Sequence, residues 1–177
     1  MSDHLPRCSR ATLLTVVTVA VIFAAFSLLH VPVPGDNEPH YLCKARATWD
    51  PDWCAADFFL QSQSAHSVFF EVTGWFTQFW SLSAVAVAGR ILSALLLAWG
   101  WTALTSAFQF SRKAAVVSAP LLAGIALTGN LAGEWILGGF ESKVPAWGLG
   151  LAGTARWLTA QRCGPRRPWV VTGVLLG

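Results

Sequence analysis

The sequence predicts an all-α fold, a polytopic bundle of transmembrane helices, and three observations predict it. Over half of the 177 residues are hydrophobic and only 12% are charged, against about 25% in an ordinary soluble domain. Mean hydropathy is +0.52. Ten Trp stand against one Tyr, and an indole with a wet N–H and a buried ring favours the membrane interface.

The elements follow in order. A hydrocarbon core about 30 Å thick needs about 20 apolar residues in a helix, because no water is there to satisfy backbone groups. After a short tail (1–10), Ala11 to Val33 is an uncharged run of that length and reads as an uncleaved anchor rather than a signal peptide, since no A-x-A site precedes Pro32 and Pro34. A loop (34–80) leads to a second span, 81–108, which carries one charge, Arg90. A short connection (109–113) precedes a third span, 114–131, interrupted by Pro120 and Gly124. A second loop (132–143) leads to a fourth, 144–160, in which Gly148, Gly150 and Gly153 allow close helix approach. After the connection 161–168, a fifth apolar run, 169–177, is cut by the chain end. It is too short to span, so the expectation is an incomplete chain or an end lying in the interface.

Charge sets the orientation. With the N-terminus cytoplasmic, Arg7, Arg10, Arg112, Lys113, Arg156, Arg162, Arg166 and Arg167 lie inside or near the inner boundary, and Lys44, Arg46 and Lys143 outside. That is the positive-inside pattern, and it predicts a multi-pass protein of the cytoplasmic (inner) membrane. Apart from Asp3, the acidic residues all fall on the outer side. Basic residues scattered over short inner loops exclude a nucleic-acid partner.

The outer loop 34–80 concentrates the chemistry. Gly35-Asp-Asn-Glu-Pro-His-Tyr41 follows the first span on backbone that prolines keep from being helical. Tyr41–Trp49 reads as a short helix, and Asp50-Pro51-Asp52-Trp53 as a turn or the start of another, with Asp50 as N-cap and Pro51 at its first position. Phe58–Trp80 reads as one amphipathic helix with a polar stripe of Ser67, Glu71, Gly74 and Gln78, lying on the membrane or packed in a bundle. Cys43 and Cys54 share this loop, and an extracytoplasmic setting permits a disulfide between them, the alternative being unrelated thiols; Cys8 and Cys163 are expected to stay free.

Asp36, Glu38, His40, Asp57 and His66 are the candidate site residues of the loop. A carboxylate here could take a proton from an acceptor hydroxyl. Asp36, Glu38 and His40 could instead hold a divalent cation against a phosphate leaving group, or the set could simply solvate the loop. Arg90, a costly charge within a span, suits either a donor phosphate or an outer-loop carboxylate. Glu141 and Lys143, just before the fourth span, fall on the same face and could close over a shared site. Zinc spacings, a P-loop, a Rossmann glycine pattern and a G-x-S-x-G elbow are all missing from the sequence.

This layout resembles the GT-C class of polytopic glycosyltransferases, which take a sugar from a polyprenyl-phosphate carrier. The segment Gly35–Tyr41 resembles their acidic motif after the first span, Phe58–Trp80 their surface helix, Gly89-Arg90 the Arg of their second span, and the Glu141/Lys143 loop their second acidic loop. The resemblance covers roughly residues 11 to 160 and implies a lipid-linked sugar donor, with Asp36 or Glu38 as base and Arg90 and Lys143 at the phosphate. The class has more spans, so the chain matches its N-terminal part. The alternative is a non-enzymatic membrane protein: a transporter segment, an assembly subunit or an inactive fragment.

Overall fold

The computed structural model describes residues 10–35, 37–62, 65–128 and 136–163. Among them are seven α-helices and no strands: α1 (Arg10–His30), α2 (Glu38–Trp49), α3 (Phe58–Gln61), α4 (Ser67–Thr77), α5 (Leu82–Ala107), α6 (Arg112–Thr128) and α7 (Lys143–Cys163). Two of these, α1 and α5, are long and apolar enough to cross a membrane. The expected fifth span, Asp36, Glu134 and Cys8 lie outside the described residues.

The long helices coincide closely with the four apolar runs. Pro32 and Pro34, which have no N–H to give, follow the end of α1 at His30. Ser81 caps α5 by accepting from the Ala84 N–H. α6 continues through Pro120.

α5 is the central element, packed on α1, α6 and α7 and touched at one end by α2 and α4. Val19 and Phe23 of α1, Ala94 and Leu97 of α5 and Ala119 and Ala123 of α6 share one buried cluster, with Leu137 reaching in from the segment before α7. Small residues decide the α5–α7 crossing: a Cβ at Gly148 would lie 2.6 Å from the Leu96 carbonyl carbon, and one at Gly100 would collide with the Gly148 carbonyl. Gly150, by contrast, faces open space.

The helix ends sort by charge. Arg162 near the end of α7 donates to the Ala107 carbonyl at the end of α5, and α6 begins at Arg112 on the same side. Every described carboxylate lies toward the opposite end, in residues 38–71 or at Glu141.

At that opposite end the loop folds differently from the single surface helix expected. Phe58–Trp80 breaks into α3 and α4, and Asp57, not Asp50, starts a helix: its Oδ1 accepts from the N–H groups of Phe59 and Leu60 at 2.9 and 3.2 Å. Asp50 instead closes α2, its N–H donating to the Arg46 carbonyl. Lys44 causes the break. Its buried ammonium spends all three protons on the Phe59 carbonyl, the Ser62 carbonyl and the Ser62 hydroxyl at 2.7–2.9 Å, turning the chain after Gln61.

α4 then packs flat on α2. Phe70, Thr73, Gly74 and Thr77 are its buried face, and Gly74 sits so close to Ala45 that a Cβ would strike the Ala45 carbonyl. The Trp49 indole donates to the Glu71 carbonyl at 2.9 Å and Arg46 to the Thr77 carbonyl at 3.1 Å, locking the pair. The remaining face leaves Val68, Val72, Trp75 and Phe76 exposed, as are Phe79 and Trp80 just beyond the helix.

Candidate functional site

The sharp turn after α1 aims Glu38 inward. Its carboxylate is fully buried and meets the equally buried Arg90 guanidinium side-on, Nε to Oε1 at 3.0 Å and Nη2 to Oε2 at 2.7 Å. The backbone N–H groups of Gly35 and Phe140 donate to the same two oxygens at 3.0 and 2.6 Å. Four donors therefore fill the acceptor positions of one carboxylate. Arg90 gives its other three protons to the carbonyls of Ser27, Val31 and Pro32 at 3.1, 2.8 and 2.6 Å. These carbonyls lie at and just beyond the C-terminal end of α1, where a cation also opposes the helix dipole.

Glu38 and Arg90 thus join α1, α2, α5 and the segment before α7. With every donor and acceptor engaged, Glu38 has no lone pair left to act as a base, and Arg90 has no N–H left for a phosphate. Both expectations are corrected on that ground, and the paired outer-loop carboxylate is the role Arg90 takes.

His40 and His66, far apart in sequence, line one cavity of about 350 Å³ together with Asn37, Tyr41, Lys44 and Phe70. Helix α2 supplies His40 and Tyr41 one residue apart, and the turn before α4 supplies His66. The Tyr41 hydroxyl lies 3.5 Å from His66 Nε2, with the rings 5.6 Å apart. His40 stands edge-on to Phe59 at 5.6 Å. Aromatic faces, two imidazoles, a phenol and an amide make a surface suited to stack a sugar ring and hydrogen-bond its hydroxyls.

A second cavity of about 550 Å³ adjoins the first, with Ala65 and His66 in both walls. It is a mainly apolar groove between α4, α5 and α7, lined by Phe69, Val72, Leu92, Phe140, Ala146 and Leu149.

The other expected residues fall elsewhere. Asp57 is the exposed cap of α3 and does not line the histidine cavity. Glu141 is buried, 2% exposed, and its Oε2 lies 3.9 Å from Lys143 Nζ. Both stand where α7 begins, beside the groove residue Ser142. Cys43 and Cys54 are free thiols, one half-buried on α2 and the other exposed in the turn region after it, which corrects the expected disulfide. Burial pushes the Cys43 thiol up, and Cys54 and Asp57 nearby push it the same way. The described residues form no group of three or more His, Cys, Asp or Glu able to hold a metal; of the trio considered from sequence, Glu38 is engaged by Arg90, His40 lines the cavity and Asp36 lies outside the described residues.

Sequence reasoning missed Asn37, Tyr41, Lys44 and Phe70. Tyr41 did carry a signal, as the chain's one tyrosine beside His40. No protein-family model, no curated protein and no solved structure matches this chain. What fold and site define is an all-helical protein with two helices able to cross a membrane and a histidine-lined polar cavity opening onto an apolar groove.

Proposed function

We propose that the chain is the membrane-embedded N-terminal part of a glycosyltransferase resembling the GT-C class, acting on a polyprenyl-phosphate-linked sugar at the extracytoplasmic face. The observation that carries this reading is the pair of adjoining cavities. A sugar phosphate fits the polar one, and the first part of an isoprenoid chain fits the apolar groove beside it.

The membrane setting is supported by what the long helices leave uncovered. In the most apolar window of α1 only 28% of residues are buried, and in that of α5 44%. Leu14, Val21 and Leu29 of α1 and Val117, Leu121 and Ile125 of α6 are more than 60% exposed, a surface that water would penalise and lipid would not. In this reading α1, α5, α6 and α7 all cross an inner membrane with the N-terminus cytoplasmic. The aromatic face of α4 rests on the outer leaflet.

Within this reading Asp36 is the general base, because Glu38 is consumed by Arg90. It takes the proton of the acceptor hydroxyl, whose oxygen bonds to the anomeric carbon as the carrier phosphate leaves. His40, Tyr41 and His66 orient the sugar. Transfer of radiolabelled sugar from a polyprenyl phosphate, assayed in membranes, tests it: Asp36→Asn should abolish transfer while leaving insertion intact. Unchanged transfer would remove the assignment.

One observation favours the second reading, a non-enzymatic membrane protein. The strongest charged motif of the sequence, Glu38 with Arg90, is spent on holding helices together. Wild-type protein that binds the lipid-linked sugar without transferring it would support that reading.

A further inference from the structure

At the end of the bundle opposite the histidine cavity lies a separate cavity of about 330 Å³ between α1, α5 and α7. Thr12, Trp99, Thr102, Ser106, Arg156 and Thr159 are among its lining residues. The Thr102 side chain is 5% exposed and its Oγ1 has no hydrogen-bond partner. Its neighbour Thr105, by contrast, donates to the carbonyls of Trp101 and Thr102. A buried hydroxyl left unpaired costs free energy unless something reaches it.

Arg156 is exposed at this cavity and forms no ion pair among the described residues. Arg10, Arg112, Lys113 and Arg162 stand at the same end, where no carboxylate is described. A guanidinium, hydroxyl groups and an indole above an apolar floor match an anion attached to an apolar body.

We propose that this cavity binds the headgroup phosphate of an anionic membrane phospholipid, with Arg156 on the phosphate oxygens and Thr102 and Ser106 as hydroxyl donors. Arg10 and Arg162, on the helices α1 and α7 that line the cavity, add the positive charge that selects an anionic headgroup over a zwitterionic one. The lipid fills the cleft where α1, α5 and α7 diverge and so ties the three helices together at the Arg-rich end. This inference rests on the membrane-spanning part of the functional reading and is independent of sugar transfer.

Native mass spectrometry of the full chain in detergent, with added phosphatidylglycerol, tests it. Wild-type protein and Lys113→Gln should retain one phosphatidylglycerol in preference to phosphatidylcholine. Arg156→Gln should lower that retention about tenfold or more, as expected for a lost charge-assisted hydrogen bond. Arg156→Lys should keep most of it, and Thr102→Val, of the same shape, should lower it several-fold. Equal retention by Arg156→Gln and wild type, equal loss in Lys113→Gln, or displacement of the lipid by inorganic phosphate would each overturn the proposal. Detergent-dependent extraction of all variants shows separately whether the membrane reading stands.

Discussion

Glu38 and Arg90, 52 positions apart, form a closed ion pair in which neither partner has a hydrogen-bonding position to spare. Two charges are removed from water here, and the cost is met by complete pairing plus two backbone N–H groups and three carbonyls. Such an arrangement is sensitive to half-removal. Glu38→Ala strands a guanidinium, and Arg90→Ala strands a carboxylate.

Each of those single variants should lose about 3–5 kcal/mol of stability, read as a fall in the melting temperature of the detergent-purified protein. Replacing both residues together by Leu and Met should cost much less than the two losses added. Single-variant losses below about 1 kcal/mol, the level of an exposed pair, would show that the contact is not closed.

The lipid-groove reading makes a prediction that leaves the ion pair untouched. Ala146 is exposed on the groove wall, so Ala146→Trp should obstruct the apolar chain without disturbing the core. The KM for the lipid-linked donor should rise about tenfold, in line with losing a buried isoprenoid contact of about 1.4 kcal/mol. Melting temperature should stay unchanged. An unaltered KM would detach the groove from the donor.

The thiols give a third prediction. Burial, then Cys54, then Asp57, raise the Cys43 pKa above its ordinary value. The thiolate is the nucleophile, so near pH 8 maleimide should modify exposed Cys54 well before Cys43, and the gap should narrow as pH rises. A raised folded-state pKa means that the contribution of neutral Cys43 to stability is full below about pH 8.5, the unfolded value, and is lost as pH climbs through the folded value. Cys54→Ser removes one cause and should quicken Cys43. Faster reaction of Cys43 in the wild type would contradict the buried placement.

The long helices were legible because apolar length and proline position are local properties. Arg90 was recognisable as a misplaced charge, and an outer-loop carboxylate was one of its two anticipated partners. That Glu38 would be this partner depended on a turn at Gly35 and on the Phe140 N–H arriving from the segment before α7, neither of which has a sequence signature. The single helix expected over 58–80 failed because Ser62–His66 contains no Pro or Gly to signal a break, while the Lys44 ammonium, distant in sequence, holds the chain at Ser62. For the same reason His40 and His66 were recognised singly but not as the walls of one cavity.

A functional site on the extracytoplasmic face requires one partition, the histidine cavity on one side of a bilayer and the Arg-rich helix ends on the other. Two single-cysteine proteins test it in intact cells with a membrane-impermeant maleimide, one keeping Cys54 alone and one carrying Lys113→Cys alone. Cys54 should be labelled without permeabilisation, and the residue 113 thiol only after it. Labelling of both thiols from outside, or of position 113 alone, would contradict the account.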